Sequence, residues 1–241
     1  MKDFIDLHCH ILPGIDDGAQ SMEETLTMLA QAKESGFRQI IATPHHHVHR
    51  GDATPEKILE VLHRVQEQCD AERLEIRLHA GNELYYTHGL TDKLSEGKVL
   101  TMAGSKYALV EFSPGVPYAD IRQAVLSVQQ EGYFPILAHM ERYECMVADW
   151  KRAGELYDMG VYLQINAGSI VGAAGRKVKK YTGRLLKEEL LHFIGTDAHD
   201  TEQRSMQIEE CVRYLEKKAG SRNTEKYLRA HAEAVIAHQV L

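Results

Sequence analysis

Short apolar runs recur along the chain at intervals of roughly 30 residues, at 4–7, 39–43, 76–80, 107–112, 134–138, 161–165 and 192–195. Segments with helical spacing lie between them. Ser21-Met22-Glu23-Glu24 has the form of a capping box, with Leu26, Leu29 and Ala30 behind it and Gly36 to close the helix. Thr54-Pro55 places an N-cap residue before proline at the first helical position. Further helices are predicted over 118–132, 149–160, 201–219 and 224–238. Strands alternating with helices require parallel pairing through crossovers. The predicted class is therefore α/β, with seven parallel strands forming a TIM-like (β/α) barrel, or else a doubly wound open sheet. No Gly/Ser/Pro linker divides the 241 residues, so a single domain spanning 1–241 is expected.

Composition narrows the function classes. The apolar fraction of 44% is enough for a sizeable core, and no stretch approaches the length of a membrane span. A formal charge of −7 argues against general nucleic-acid binding, which needs a basic face. The opening MKDFIDLHCH lacks the apolar core of a secretory signal, so a cytoplasmic location is expected. Cys9, Cys69, Cys145 and Cys211 are too far apart for a CxxC zinc site. A cysteine nucleophile with a phosphate-cradling arginine six positions on is also absent, because those positions hold Ile15, Glu75, Lys151 and Lys217.

The 14 histidines matter because of where some of them fall. His8 and His10 follow the first run, then Asp16 and Asp17. His45, His46 and His47 follow the second, Glu83 the third, and Glu111 ends the fourth. The fifth ends in His139-Met140-Glu141-Arg142, the sixth in Asn166-Ala167-Gly168 and the seventh in Thr196-Asp197-Ala198-His199. In a parallel barrel the carboxyl ends of the strands form one face, and active sites sit there. Residues i and i+2 on a strand point the same way, so His8 and His10 can grip one ion, and Asp197 and His199 repeat the pattern. Imidazole with carboxylate suits Zn²⁺, Mn²⁺ or Fe²⁺, and several carboxylates imply more than one cation.

The stretches IDLHCHILPGIDDGA, IIATPHHH, GNELYY, LVEF, ILAHMERY, QINAGS and GTDAH resemble the PHP family across essentially the whole chain. They look most like its branch of bacterial manganese-dependent protein-tyrosine phosphatases from capsule and exopolysaccharide operons. The resemblance implies a distorted seven-stranded barrel and a centre of three divalent cations, Mn²⁺ before Fe²⁺ or Zn²⁺. It implies that His8, His10, Glu83 and Asp197 hold one ion, and that Glu83 bridges to a second held by Glu111 and His139. Asp17, His45 and His199 would hold a third. Asp17 is preferred to Asp16 because the family aspartate directly precedes a glycine, here Gly18. Arg142 and Arg204 match positions the family uses beside substrate, and a guanidinium fork suits phosphate oxygens. His46, His47 and His49 are read as rim residues, with His46 a candidate for positioning substrate. The basic stretch from Lys177 to Lys180 is read first as a solvated face, with contact to an acidic substrate as the alternative.

The expected chemistry is phosphomonoester hydrolysis, with a metal-bridging hydroxide as nucleophile and arginines stabilising the charge that develops on phosphorus. The expected substrate is phosphotyrosine in a polypeptide, such as the tail of a bacterial tyrosine kinase controlling polysaccharide export. The alternatives are a phosphatase of small metabolites such as histidinol phosphate, or a non-catalytic regulatory module of the same family.

Overall fold

A computed structural model describes residues 3–47 and 52–241. Among these, nine strands alternate with helices: β1 (Phe4–Cys9), β2 (Phe37–Ala42), β3 (His45–His46), β4 (Arg77–Ala80), β5 (Glu83–Tyr85), β6 (Tyr107–Glu111), β7 (Phe134–Leu137), β8 (Tyr162–Asn166) and β9 (Phe193–Gly195). All seven predicted runs are strands, and every strand pairing is parallel.

The expectation of seven continuous strands needs correction. The strands form two sheets, of order β1-β2-β4 and β3-β5-β6-β7-β8-β9. Pro44, which has no N–H to give the ladder, separates β3 from β2, and Gly81-Asn82 separates β5 from β4. Backbone pairing resumes across both interruptions, from Gly81 N–H to the Ala42 carbonyl at 2.8 Å and from Glu83 N–H to that of Pro44 at 3.1 Å. Beyond β9, Asp197 N–H donates to the His8 carbonyl at 2.8 Å, and Cys9 forms an isolated parallel bridge with Ala198. The result is a curled parallel sheet with helices outside it.

The helices are α1 (Met22–Ser35), α2 (Pro55–Ala71), α3 (Leu90–Ser95), α4 (Tyr118–Gln130), α5 (Glu144–Ala148), α6 (Lys151–Asp158), α7 (Ala167–Val171), α8 (Arg176–Lys187), α9 (Glu209–Lys218), α10 (Gly220–Glu225) and α11 (His231–Ile236). Ser21 Oγ accepts from Glu24 N–H at 3.1 Å, and Gly36 closes α1 at φ 98°, where other residues are strained. The helix predicted over 201–219 starts only at Glu209. Asp200 Oδ1 accepts the N–H groups of Glu202, Gln203 and Arg204 and so fixes a tight loop in its place. The one predicted over 224–238 is three pieces: the end of α10, a π-helical turn at Lys226–Ala230, and α11.

Ile5, Leu7, Ile41, Tyr107, Leu109, Ile136 and Phe193 pack with Ala232 and Val235 of α11 in one buried cluster. A larger cluster joins the strands to the surrounding helices. Each fully buried Leu or Ile contributes about 1.5–3 kcal/mol, and this packing holds the strand ends in place. No helix among the described residues is long and apolar enough to cross a membrane.

Candidate metal centre

The carboxyl ends of the strands bring all nine predicted ligands together. His8, His10, Glu83 and Asp197 form one group in which one donor atom from each lies within 4.8 Å of the others. Glu83, Glu111 and His139 form a second, and Asp17, His45 and His199 a third that also takes in His10. Glu83, on the short β5, is common to the first two. Its Oε2 lies 3.2 Å from His8 Nε2 and 3.3 Å from His10 Nε2, and its Oε1 lies 2.6 Å from His139 Nε2.

These contacts suit a cation better than they suit one another. Both Glu83 oxygens, Asp197 Oδ1, His139 Nε2 and His199 Nε2 are buried without an aligned hydrogen bond. Buried polar atoms are almost always satisfied, so five orphans facing one space imply a missing partner. The imidazoles also crowd: His8 Nε2 and His10 Nε2 are 3.4 Å apart, and the rings of His10 and His199 are 3.8 Å apart between centroids. An oxygen-rich set with imidazole fits Mn²⁺, Fe²⁺ or Zn²⁺, and the residues present fit such ions.

Electrostatics keep the carboxylates ionised. Burial alone would raise Glu83 and Asp197, but His8 and the other imidazoles outweigh it and hold both well below the usual carboxylate range. Burial likewise opposes a charged His10, yet Asp16, Asp197 and Glu83 push it well above its ordinary value. His199 is held down at about 3 by burial and by His10. Such a cluster exchanges protons for cations when metal binds.

Neighbouring residues fix the ligands. Asp16 Oδ2 lies 2.7 Å from His10 Nδ1 and accepts the His45 N–H at 3.0 Å, while its other oxygen accepts from Gly18 N–H. Asp17 instead reaches out with a 65% exposed side chain to within 3.4 Å of His45 Nε2 and 3.7 Å of His199 Nε2. The aspartate pair therefore differs in place, with Asp17 beside His45 and His199 in a group that could hold an ion and Asp16 hydrogen-bonded behind His10. Gln164 Oε1 lies 3.2 Å from His8 Nδ1 and accepts from His139 N–H at 2.6 Å. Glu141 accepts from the Asn166 backbone, and Asn166 Nδ2 donates to Asp197 Oδ2 at 2.7 Å. Asp6 holds Thr196 through its backbone and hydroxyl, next to Asp197. Sequence reasoning missed Gln164, Glu141 and Asp6; each lies at or beside a predicted strand end, the one signal available.

Two donors have strained backbones. His139 has φ 27° and Asp197 φ 54°, a region costing of order 1–3 kcal/mol for such residues. Gln164 pins the first, and the Asp197 N–H bond to the His8 carbonyl pins the second.

Arg142 Nη2 lies 3.0 Å from Asp197 Oδ2, and Arg204 Nη2 lies 2.8 Å from the same oxygen. Arg204 is held there by the Asp200 loop, whose His199 N–H donates to its carbonyl at 2.8 Å. Both arginines and Asp197 line a cavity of about 360 Å³ with Asn166, Gly168 and Ser169. His46, predicted as a substrate-positioning residue, is not brought here. Strand alternation turns it away from His45, and its Nε2 takes a 2.9 Å hydrogen bond from Lys93 while Nδ1 lies 3.5 Å from Asp52. His47 points inward instead, 3.3 Å from Glu111 Oε1, and forms a further group with His45 and Glu111. His49 lies outside the described residues. The four cysteines are free; Cys9 is wholly buried, and burial pushes its thiol well above the usual range, unlike a nucleophile.

Fold and cluster together define a parallel α/β protein with an imidazole–carboxylate cluster at its strand ends whose groups could hold metal ions. The chain belongs to the CpsB/CapC capsular polysaccharide synthesis family, whose model matches residues 4–237. It is 30% identical over 242 residues to the tyrosine-protein phosphatase CpsB of Streptococcus pneumoniae, covering 98% of this chain and 100% of that one. It is 32% identical over 239 residues to the tyrosine-protein phosphatase YwqE of Bacillus subtilis, covering 98% and 93%. Among solved structures, one from a study of YwqE and CpsB as metal-dependent tyrosine phosphatases superposes with a TM-score of 0.91, at 32% identity and 98% and 96% coverage. The phosphotriesterase homology protein of Escherichia coli shares the fold alone, with a TM-score of 0.63 at 10% identity, over 98% and 99% of the two chains.

Proposed function

We propose that this chain is a metal-dependent protein-tyrosine phosphatase, a single domain over 1–241 shaped as a distorted TIM-like barrel of parallel strands. The observation that carries the reading is the pair of arginines meeting at Asp197 Oδ2, on the wall between the orphaned donors and a cavity large enough for a phosphate group. Anion-binding guanidinium groups beside a cation-binding set are what a phosphomonoester needs. The names carried by the relatives support phosphotyrosine as the ester.

His8, His10, Glu83 and Asp197 would hold one divalent cation; Glu83, Glu111 and His139 a second; and Asp17, His45 and His199 a third. Mn²⁺ is the proposed ion. Bound cations supply Lewis acidity, which acidifies water towards neutral pH and offsets phosphate charge. Arg142 and Arg204 orient the phosphoryl oxygens and stabilise the charge that builds on them. Asp197 Oδ2 keeps the two guanidinium groups from separating before substrate arrives. His46, turned away, has no role as a protein acid here, and phenolate as leaving group needs little protonation. A cytoplasmic phosphoprotein, such as a tyrosine kinase of a capsule system, is the proposed partner.

Side-by-side turnover of a phosphotyrosine peptide and an aliphatic amino-alcohol phosphate tests this reading. The peptide should have the higher kcat/KM; an equal or lower value would make the chain a small-metabolite phosphatase.

A further inference from the structure

We infer that the exposed basic ridge at the start of α8 is a docking surface for acidic or further phosphorylated residues that flank the target phosphotyrosine. The inference rests on the phosphatase reading above and adds how a polypeptide is chosen. Helix α8, RKVKKYTGRLLK, holds six cationic side chains and no carboxylate in a chain of net charge −7. All six are exposed.

Two of them have structural work: Lys179 donates to the Val171 carbonyl at 2.7 Å, and Arg184 pairs with Glu188 at 3.0 Å. Among the described residues, Arg176, Lys177 and Lys180 have no such partner. Their placement does not favour the helix. Cations near a helix N-terminus oppose its dipole, and α8 has neither an acidic residue in its first turn nor a side-chain cap. Helices α1 and α9 carry Glu23 and Glu24, and Glu209 and Glu210, at the equivalent place.

The ridge continues from the arginine cavity. Ala173 and Ala174 line that cavity, and Gly175 leads from them into Arg176. Asp16, Asp17 and Asp52, with His45 and His47, line a separate opening that contains no lysine or arginine. The rim is thus polarised, and a negatively charged polypeptide is steered to the α8 side.

The test compares two phosphotyrosine peptides with one core, flanked by Glu or by Gln and Ser, with p-nitrophenyl phosphate as a small ester. One exposed pair changes affinity about threefold, so three contacts should lower KM for the acidic peptide by about 30-fold. That preference should vanish in Lys177→Glu/Lys180→Glu, and at about 0.5 M salt, with p-nitrophenyl phosphate turnover unchanged. A wild type without preference, or a variant that keeps it, overturns the inference. If wild type hydrolyses p-nitrophenyl phosphate but neither peptide, the phosphotyrosine reading fails. The ridge is then judged by fluorescence anisotropy of the acidic peptide, where equal binding to both proteins overturns it. Tighter binding to anionic phospholipid vesicles than to the peptide would overturn the choice of a polypeptide partner.

Discussion

Asp16 Oδ2 lies 2.7 Å from His10 Nδ1 and leaves the other ring nitrogen, Nε2, facing Glu83 and Asp197. An orienting carboxylate of this kind raises ligand basicity and fixes the ring, and its loss costs 10–100-fold in metal affinity by order of magnitude. Asp16→Ala is therefore expected to weaken metal binding by about 10–100-fold while leaving the number of sites unchanged at saturation. Asp17→Ala is expected to remove one ion outright. Metal titration followed by elemental analysis separates the two, and identical behaviour would contradict the division of roles.

Arg142 and Arg204 are expected to act on substrate and not on metal. Arg142→Ala and Arg204→Ala should each lower kcat/KM on a phosphotyrosine peptide by about 100-fold, with metal content retained. Loss of metal in either variant would show that the arginine serves only to hold Asp197.

Two glycines are tied to the ligands by space. A Cβ on Gly18 would sit 2.1 Å from the His10 carbonyl oxygen, and one on Gly195 would sit 2.9 Å from His8 Cβ. Gly18→Ala and Gly195→Ala should each destabilise the fold by about 1–3 kcal/mol in urea titrations and weaken metal binding. Gly154→Ala, in α6 with nothing within 4 Å, is the control and should be neutral or stabilising by about 0.5–1 kcal/mol.

Much of the centre was legible in the residues because the chemistry sits at the ends of strands, where apolar runs stop and ligand types begin. His8 with His10, and Asp197 with His199, carry their own spacing. Asp16 and Asp17 could not be told apart, since both precede Gly18 within a loop whose path depends on His10. His46 and His47, both read as rim residues, face opposite ways because Pro44 restarts the strand, and alternation can be counted only once that break is known. The two-sheet division has the same origin, at Pro44 and Gly81-Asn82. Gln164 and Glu141 were hidden because a buried amide or carboxylate that supports a ligand has no spacing rule. The late start of α9 depends on one side chain, that of Asp200, accepting three N–H groups.

Away from the centre, His192 Nδ1 accepts the Leu163 N–H at 3.1 Å, and burial, His231 and Lys226 hold its pKa down at about 3. The unfolded chain, with an ordinary histidine near 6.5, binds more protons between these values. Stability from His192 is therefore complete above about pH 6.5 and is lost as pH falls towards 3. Between pH 7.5 and 5, wild type should lose about 1–2 kcal/mol more than His192→Gln in urea unfolding, since glutamine keeps an acceptor and takes no proton. Both proteins share the metal cluster, so its titration cancels, and equal losses would contradict the assignment.

The most direct test of the account follows bound metal and phosphotyrosine hydrolysis in the same samples as chelated protein is reloaded with Mn²⁺. The account predicts no turnover without metal, activity rising with occupancy to three ions per chain, and neither in His139→Ala. Undiminished phosphotyrosine hydrolysis by protein free of metal would contradict it.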